Sequence, residues 1–430
     1  MKQESIQKEK LPEGWKIVEL KDVCVKIDAG TWGNEPAKDN SHPVLRSNNI
    51  QDGKLDLSDL AFRSISQKDK ENKLLEEGDI IITKSSGSSH LIGKNILFEK
   101  IDNRDYFFAN FLERLKPNKN IICPKFLYYY LNSPIAKNII DSMHSTTSGL
   151  RNLNIKIYVK QKIILPLILV QQQIVSKLDI QMAQIDMMKK ETKKEKEASD
   201  IMLFSLLERF FPTKINSSLP KGWKWGKLSE ATDNWKDDIV SGPFGSNLVV
   251  ADYRTSGIPI VRLQNIQRLQ FLDKDIKFIT EEKAEELKRH SFKNGDLILA
   301  KLGDPLGKTC TVPKTLKEGI IVADVVRISI SKKNNSKYFE YALNSNLVTK
   351  QLTSKIIGST RPRVNLDDVR DIIIPLSDKT SQDNVVRILD SVKEKCNIIN
   401  ENINQKVFAI SQLPLSILNE IFGKYKISEA

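Results

Sequence analysis

The sequence predicts an α+β fold: two similar mixed domains separated by a pair of long antiparallel coiled-coil helices, with a pseudo-twofold internal repeat. Three observations predict it. Two stretches of about forty residues carry a narrow apolar seam at heptad spacing. The two stretches share one register, and short blocks preceding each recur in order in both halves of the 430-residue chain. In the second stretch the seam is Val385, Leu389, Val392, Cys396, Ile399, Ile403, Val407 and Ile410, resuming at Ile417 and Ile421 beyond Pro414. In the first it is Ile174, Leu178, Ile185, Met188, Leu203, Leu206 and Phe210. Ser205 lies over Ser416, Phe211 over Phe422 and Ile174 over Val385, always 211 positions apart. A seam this narrow needs a partner helix, and the chain supplies one.

Taken in order, a first domain over residues 1–170 opens with Leu11-Pro12-Glu13-Gly14-Trp15, and a second over 219–380 opens with Leu219-Pro220-Lys221-Gly222-Trp223. Pro43-Val44-Leu45-Arg46, followed by Asn49-Ile50, recurs as Pro259-Ile260-Val261-Arg262, followed by Asn265-Ile266. Gly78-Asp79-Ile80-Ile81-Ile82 answers Gly295-Asp296-Leu297-Ile298-Leu299, a turn feeding a short strand that ends at Lys84 or Lys301. A helix is expected over Pro124 to Leu131, with its copy at Lys337 to Leu343, and another over Glu281 to Arg289. Ile163-Ile164-Leu165-Pro166-Leu167 answers Ile372-Ile373-Ile374-Pro375-Leu376 as a last strand before each long helix. The offset between copies drifts from block to block, which places the insertions in loops. The long helices are expected over 171–211 and 381–423, with a polar, Pro-led linker at 212–218. At 1.5 Å per residue each would reach roughly 60 Å, a ruler between the domains. Thr192, Lys196 and Ser199 fall on polar seam positions around the charged run 189–197, which reads as a solvated face. Pro414 is expected to kink the second helix.

Composition narrows the function. Lys and Arg number 67 against 54 Asp and Glu, and the net charge of +13 makes a polyanion the first partner to consider. Cys24, Cys123, Cys310 and Cys396 lie far apart and read as buried thiols of a reducing compartment. The polar start and the shortness of the apolar run Ile163 to Val170 argue against a signal peptide and a membrane span, so a cytoplasmic location is expected. His42, His90, His144 and His290 are isolated, which argues against a metal. Leu302 to Thr309 resembles a phosphate-binding loop but encloses too few residues between its glycines and contains a Pro. No pattern assigns catalysis.

Polar loops at strand ends remain as candidate DNA-binding residues. Arg46, Asn48 and Asn49, and their counterparts Arg262, Gln264 and Asn265, are the side-chain types that make bidentate contacts to guanine and adenine. Their repetition between halves equally suits a scaffold role. Lys84, Ser85, Ser86, Ser88 and His90 form a flexible polar loop headed by a cation, with Lys301 in the equivalent place. Arg151 in one half and Thr360, Arg361 and Arg363 in the other precede the last strand. Ser241 and Ser246 flank Gly242-Pro243-Phe244-Gly245, where backbone could approach a phosphate. Loops that differ between the halves are the better candidates for specificity.

In this alternation, the paired openings, the Gly-Asp-strand blocks, the Ser241 to Ser246 loop followed by Ile258 to Ile266, and Ile163 to Leu167 leading into Gln171-Gln172-Gln173-Ile174, the chain resembles the specificity subunit of Type I restriction–modification enzymes. It departs from the family pattern at Val170, at Ser381-Gln382-Asp383, and at Gly30-Thr31-Trp32-Gly33 where the second half has Gly242-Pro243-Phe244-Gly245. The resemblance implies a non-catalytic reader of double-stranded DNA, each domain being a target-recognition domain for one half of a split, asymmetric site. It implies two methylation subunits as partners, carrying S-adenosylmethionine, and restriction/translocase subunits using ATP and Mg, with no cofactor in this chain itself. A stand-alone DNA-acting enzyme and a coiled-coil adaptor are the readings from other classes.

Overall fold

The computed structural model describes residues 11–424 except 38, 52, 88–90, 143–144, 148–149 and 357–361. The chain forms two compact units, Met1–Thr192 with Gln405–Ala430, and Lys193–Asn404. Each long helix therefore contributes to both units. The first runs Ile168–Phe210 and the second Lys379–Phe422, each starting slightly before the expected residue, and Pro414 lies inside the second.

In the first unit a four-stranded antiparallel sheet has the order Cys24–Ala29, Leu112–Pro117, Ile80–Thr83, Asn95–Leu97. A second sheet pairs His42–Leu45 with Phe107–Phe108 in parallel and with Ala61–Arg63 antiparallel. The second unit repeats this order with Ile239–Ser241, Val325–Ile328, Leu297–Ala300 and Thr309–Thr311. Its other sheet sets Ile258–Val261 between Glu318–Ile321, in parallel, and Lys277–Ile279. The inner strands Ile80–Thr83 and Leu297–Ala300 are buried along their whole length, which is why they read as unbroken apolar runs. Each is launched by the same turn. Asp79 accepts a hydrogen bond from Glu76 N at 3.0 Å and Asp296 from Lys293 N at 2.8 Å. The glycine before each, Gly78 or Gly295, sits at a positive φ of 94° or 85°, where a side chain would be strained.

The short helices Pro124–Leu131 and Ser336–Leu343 fall where expected and dock onto the starts of the long helices. Two buried glutamines make that joint. Gln171 accepts from Cys123 N at 2.8 Å and donates to Pro166 O and Ile121 O at 2.8 and 3.1 Å. Gln382 accepts from Asn335 N at 2.8 Å and donates to Ser377 O and Asn334 Oδ1 at 2.9 and 3.0 Å. One turn and more along, Tyr129 donates to Asp179 at 2.6 Å and Tyr341 to Asp390 at 2.7 Å.

The expected 4-3 seam is narrower than the spacing implied. Along the middle of each helix buried residues recur every seven positions, at Leu178, Ile185, Thr192 and Ser199 on the first and at Leu389, Cys396, Ile403 and Ile410 on the second, while nearer the starts Val175 and the expected Val385 are buried beside Gln171 and Gln382. Met188, Ile399 and Val407, placed on the seam by the sequence, are 48%, 40% and 47% exposed. Thr192 stays in the seam by donating its hydroxyl to Met188 O at 2.8 Å. Toward its C-terminus each helix widens its apolar stripe onto a globular core. Leu203, Leu207 and Phe211 join the second unit's core with Leu389 and Tyr338, and Leu418 and Phe422 join the first unit's with Leu178, Phe126 and Tyr130. The helix expected over Glu281 to Arg289 is Glu281–Glu286 followed by a separate 3-10 turn, Lys288–His290.

Candidate nucleic-acid interface

In each unit the candidate loops meet on one rim, where the ends of the two sheets come together. In the second unit the rim is formed by the loop after Ile239–Ser241, the turn after Ile258–Val261, Lys301, Val322 to Asp324 and Arg363. Two glycines let the loop after the edge strand pass close beneath the other sheet. A Cβ on Gly242 would collide with the Val322 carbonyl, and one on Gly30 with the Phe108 carbonyl. Lys301 is buried and donates to Ser241 Oγ at 2.6 Å, while Ser241 Oγ donates to Ala323 O at 3.1 Å. Burial pushes the Lys301 pKa down, the Arg363 charge pushes it further, and Asp324 opposes both. Arg363 pairs with Asp324 at 2.7 Å and keeps more than half its side chain in solvent. His290 Nδ1 lies 2.7 Å from the Ser241 carbonyl. Lys301, Ser241 and the Arg363–Asp324 pair thus share one edge, with Arg363 exposed to solvent.

The first unit builds the same rim with other side chains. Lys84 pairs with Glu113 at 3.1 Å, and both Lys84 N and Ser85 N donate to Phe111 O. Ser85 Oγ donates to Asn152 Oδ1, and strand Ser85–Ser86 pairs with Leu150–Asn152, where Arg151 stands opposite Ser86 in register. Ser88, His90, Thr360 and Arg361 lie outside the described residues. Ser246 is exposed and donates to Asn247 Oδ1 at 3.4 Å.

The turn residues after the paired strands need correction. Asn49 and Asn265 are fully buried, and neither presents an amide to a base. Asn49 Oδ1 accepts from Arg46 N at 2.8 Å, and its amide donates to Asp56 O and Asp59 O at 2.8 and 3.0 Å. Asn265 Oδ1 accepts from Arg262 N, and its amide donates to Leu272 O and Lys274 O, all at 3.0 Å. These asparagines hold the turn closed. The arginines lean on the same closure: Arg46 contacts Asp59 O and Oδ2 at 2.8 Å each, and Arg262 contacts Asp275 Oδ2 at 2.9 Å as well as its carbonyl. Asn48 and Gln264 donate to the same carboxylates at 3.3 and 3.2 Å. Hydrogen bonds from Lys277, Arg262 and Gln264 hold the Asp275 carboxyl far below the usual carboxylate range. Neither Asp59 nor Asp275 was singled out in the sequence, although each follows its arginine by thirteen positions, a shared spacing that marks the pair.

Other motifs resolve into structure. Thr309, which ends the loop resembling a phosphate site, is buried and donates its hydroxyl to Gly307 O at 2.8 Å. Among the described residues no group of three or more His, Cys, Asp or Glu could hold a metal ion, and no helix is long and apolar enough to cross a membrane.

Residues 12–197 and 250–409 match the family model described as the Type I restriction modification DNA specificity domain. A specificity subunit of the Type I restriction enzyme StySPI from Salmonella potsdam is 25% identical over 96% of this chain and 89% of its own. A solved structure reported under the complex assembly and conformational transition of the type I R-M system matches with a TM-score of 0.71 at 18% identity, covering 96% of this chain and 99% of the other. The crystal structure of an HsdS subunit from Thermoanaerobacter tengcongensis matches with a TM-score of 0.53, also at 18% identity, over 96% and 98% of the two chains.

Proposed function

This chain belongs to the Type I restriction–modification DNA specificity family, and from that premise we propose how it works as the specificity subunit of such a system. Each unit binds one half of a split DNA target through the rim described above. The observation that carries this reading is the rim itself, built twice on one scaffold with different side chains. The turn with its buried asparagine, the arginine–aspartate closure and the close-approach glycine are common to both units. Lys84 with Glu113 in one, and Lys301 with Ser241, Asp324 and Arg363 in the other, are not. A shared frame with divergent contacts suits two readers of two unlike sequences. Lysine and arginine supply salt-dependent phosphate affinity and the divergent loops supply discrimination.

The chemistry belongs to partners on this reading. Two methylation subunits bring S-adenosylmethionine, restriction subunits bring ATP and Mg, and this chain contributes target choice in the cytoplasm. The long helices set the spacing between half-sites. Methylome mapping in a host expressing the chain with its methylation subunits tests the whole. The expected outcome is methylation at one bipartite motif with a fixed spacer. Inserting one heptad into both helices, about 10.5 Å of rise, is expected to lengthen the spacer and leave both half-sites unchanged. A continuous motif would sink the two-reader account, and an unaltered spacer would remove the ruler.

A further inference from the structure

We propose that each unit reads a thymine through one exposed aromatic ring on its rim, Phe111 in the first and Phe244 in the second, by apolar contact with the C5-methyl group. The inference rests on the reading that each unit binds one half-site. Phe111 is 59% and Phe244 84% exposed, so each ring stands mostly in solvent. The backbone beneath each is fixed. Phe111 O accepts from Lys84 N at 3.0 Å and Ser85 N at 3.1 Å, and the next residue, Leu112, is fully buried. Phe244 follows buried Pro243 and precedes buried Leu248, which pin the loop at both ends.

The fold requires neither ring. Lys84 N donates to Phe111 O as Lys301 N donates to Asp324 O, so Phe111 stands where the second unit has an aspartate. Gly30 N donates to Leu112 O as Gly242 N donates to Val325 O, so Phe244, two residues on, stands where the first unit has Trp32. Trp32 is not available in the same way: it packs against the cluster of Val44, Ile65, Phe107 and Ala109, and Arg63 lies 4.4 Å from its ring centroid. Each unit thus presents one aromatic from a different loop of the same rim. Conserved scaffolding would have used one place twice; a difference in target sequence accounts for two.

The chemistry then selects the base. Among the described residues Arg46 and Asn48 are held by Asp59, and Arg262 and Gln264 by Asp275, and a phenyl ring has no hydrogen bond to offer. The base-edge feature it complements is the thymine methyl, which only the major groove displays.

The test uses the chain assembled with its methylation subunits on its mapped target, with each thymine replaced singly by deoxyuridine. One position per half-site is expected to lose about fourfold in affinity, the worth of one buried methyl. Phe111→Ala abolishes that sensitivity in one half-site, and Phe244→Ala abolishes it in the other. Uniform tolerance of deoxyuridine by the wild-type complex overturns the proposal, as does a variant that keeps the wild-type profile. Brightening of 2-aminopurine beside the contacted step also overturns it, since the ring would then be inserted between bases. If the half-site reading itself is wrong, the wild-type complex shows no salt-dependent preference for the mapped target at all, a separate outcome.

Discussion

Asn265 and Arg363 both belong to the second unit's rim and carry opposite expectations. Asn265 is fully buried and satisfies three backbone groups, so Asn265→Ala leaves them unpaired and is expected to cost about 2 kcal/mol of stability. Urea unfolding measures that cost. Arg363 is exposed and balanced by Asp324. Arg363→Ala is expected to weaken DNA binding on all sequences alike and to reduce the slope of log affinity against log salt by about one. A loss confined to the cognate site would make it a base reader instead. In the first unit the buried Arg114 grips both oxygens of Asp28 at 2.9 and 3.0 Å. Burial pushes the Asp28 pKa up, but hydrogen bonds from Arg114 and Lys73 outweigh it, and the net shift is downward. A lowered carboxylate pKa stabilises the fold above the ordinary value near 3.9 and loses that contribution as the pH falls through the native value. Asp28→Asn is therefore expected to destabilise by about 3 kcal/mol at neutral pH, by stranding a buried guanidinium, and to flatten the acid limb of a stability-against-pH profile. The sequence showed the arginine, asparagine and lysine of these loops but not their partners. Whether Asn49 faces a base or its own turn depends on carbonyls seven and ten residues away, which periodicity does not record.

Secondary-structure elements were legible in proportion to their periodicity. The long helices, the paired inner strands and Pro124–Leu131 stand where the pattern put them. Pro134–Ser142 and Asn346–Thr353 were missed. Each begins almost directly after another helix and lasts barely two turns, too short for an apolar stripe to rise above its surroundings. The core-facing register slipped by one residue toward the helix ends: Leu207 and Phe211 are fully buried where Leu206 and Phe210 were expected. A three-or-four spacing admits both, and the choice is made by the domain the helix lands on. Gln171 and Gln382 are the sharpest outcome at this scale. A buried glutamine reads as a seam defect, yet each links a long helix to the loop preceding a short one. Gln382→Ala is expected to cost about 2 kcal/mol and to loosen Ser336–Leu343 selectively, which hydrogen exchange would detect as faster amide turnover there than in Leu297–Ala300.

At the level of the molecule, the repeat was the most legible feature, because duplicated blocks kept in order identify each other without any structural knowledge. What it did not reveal is how each unit borrows. Phe422 lies edge-on to Phe126 and Tyr130, 5.5 Å from each ring centroid, and Leu418 is buried beside it. Phe211 stands 5.3 Å from Tyr338 in the other unit. Phe422→Ala is expected to remove about 3 kcal/mol from the first unit, and the half-site bound by that unit should weaken before the other. The borrowing also dictates an order of events during translation. The ribosome has made every strand of the first unit long before it reaches the aromatic residue that seals that unit's interior. Until residues 418–422 emerge, Phe126 and Tyr130 lack the ring that packs edge-on against them, and the first unit's core stays open on that side. A stop codon placed before Leu418 would thus damage the part synthesised first.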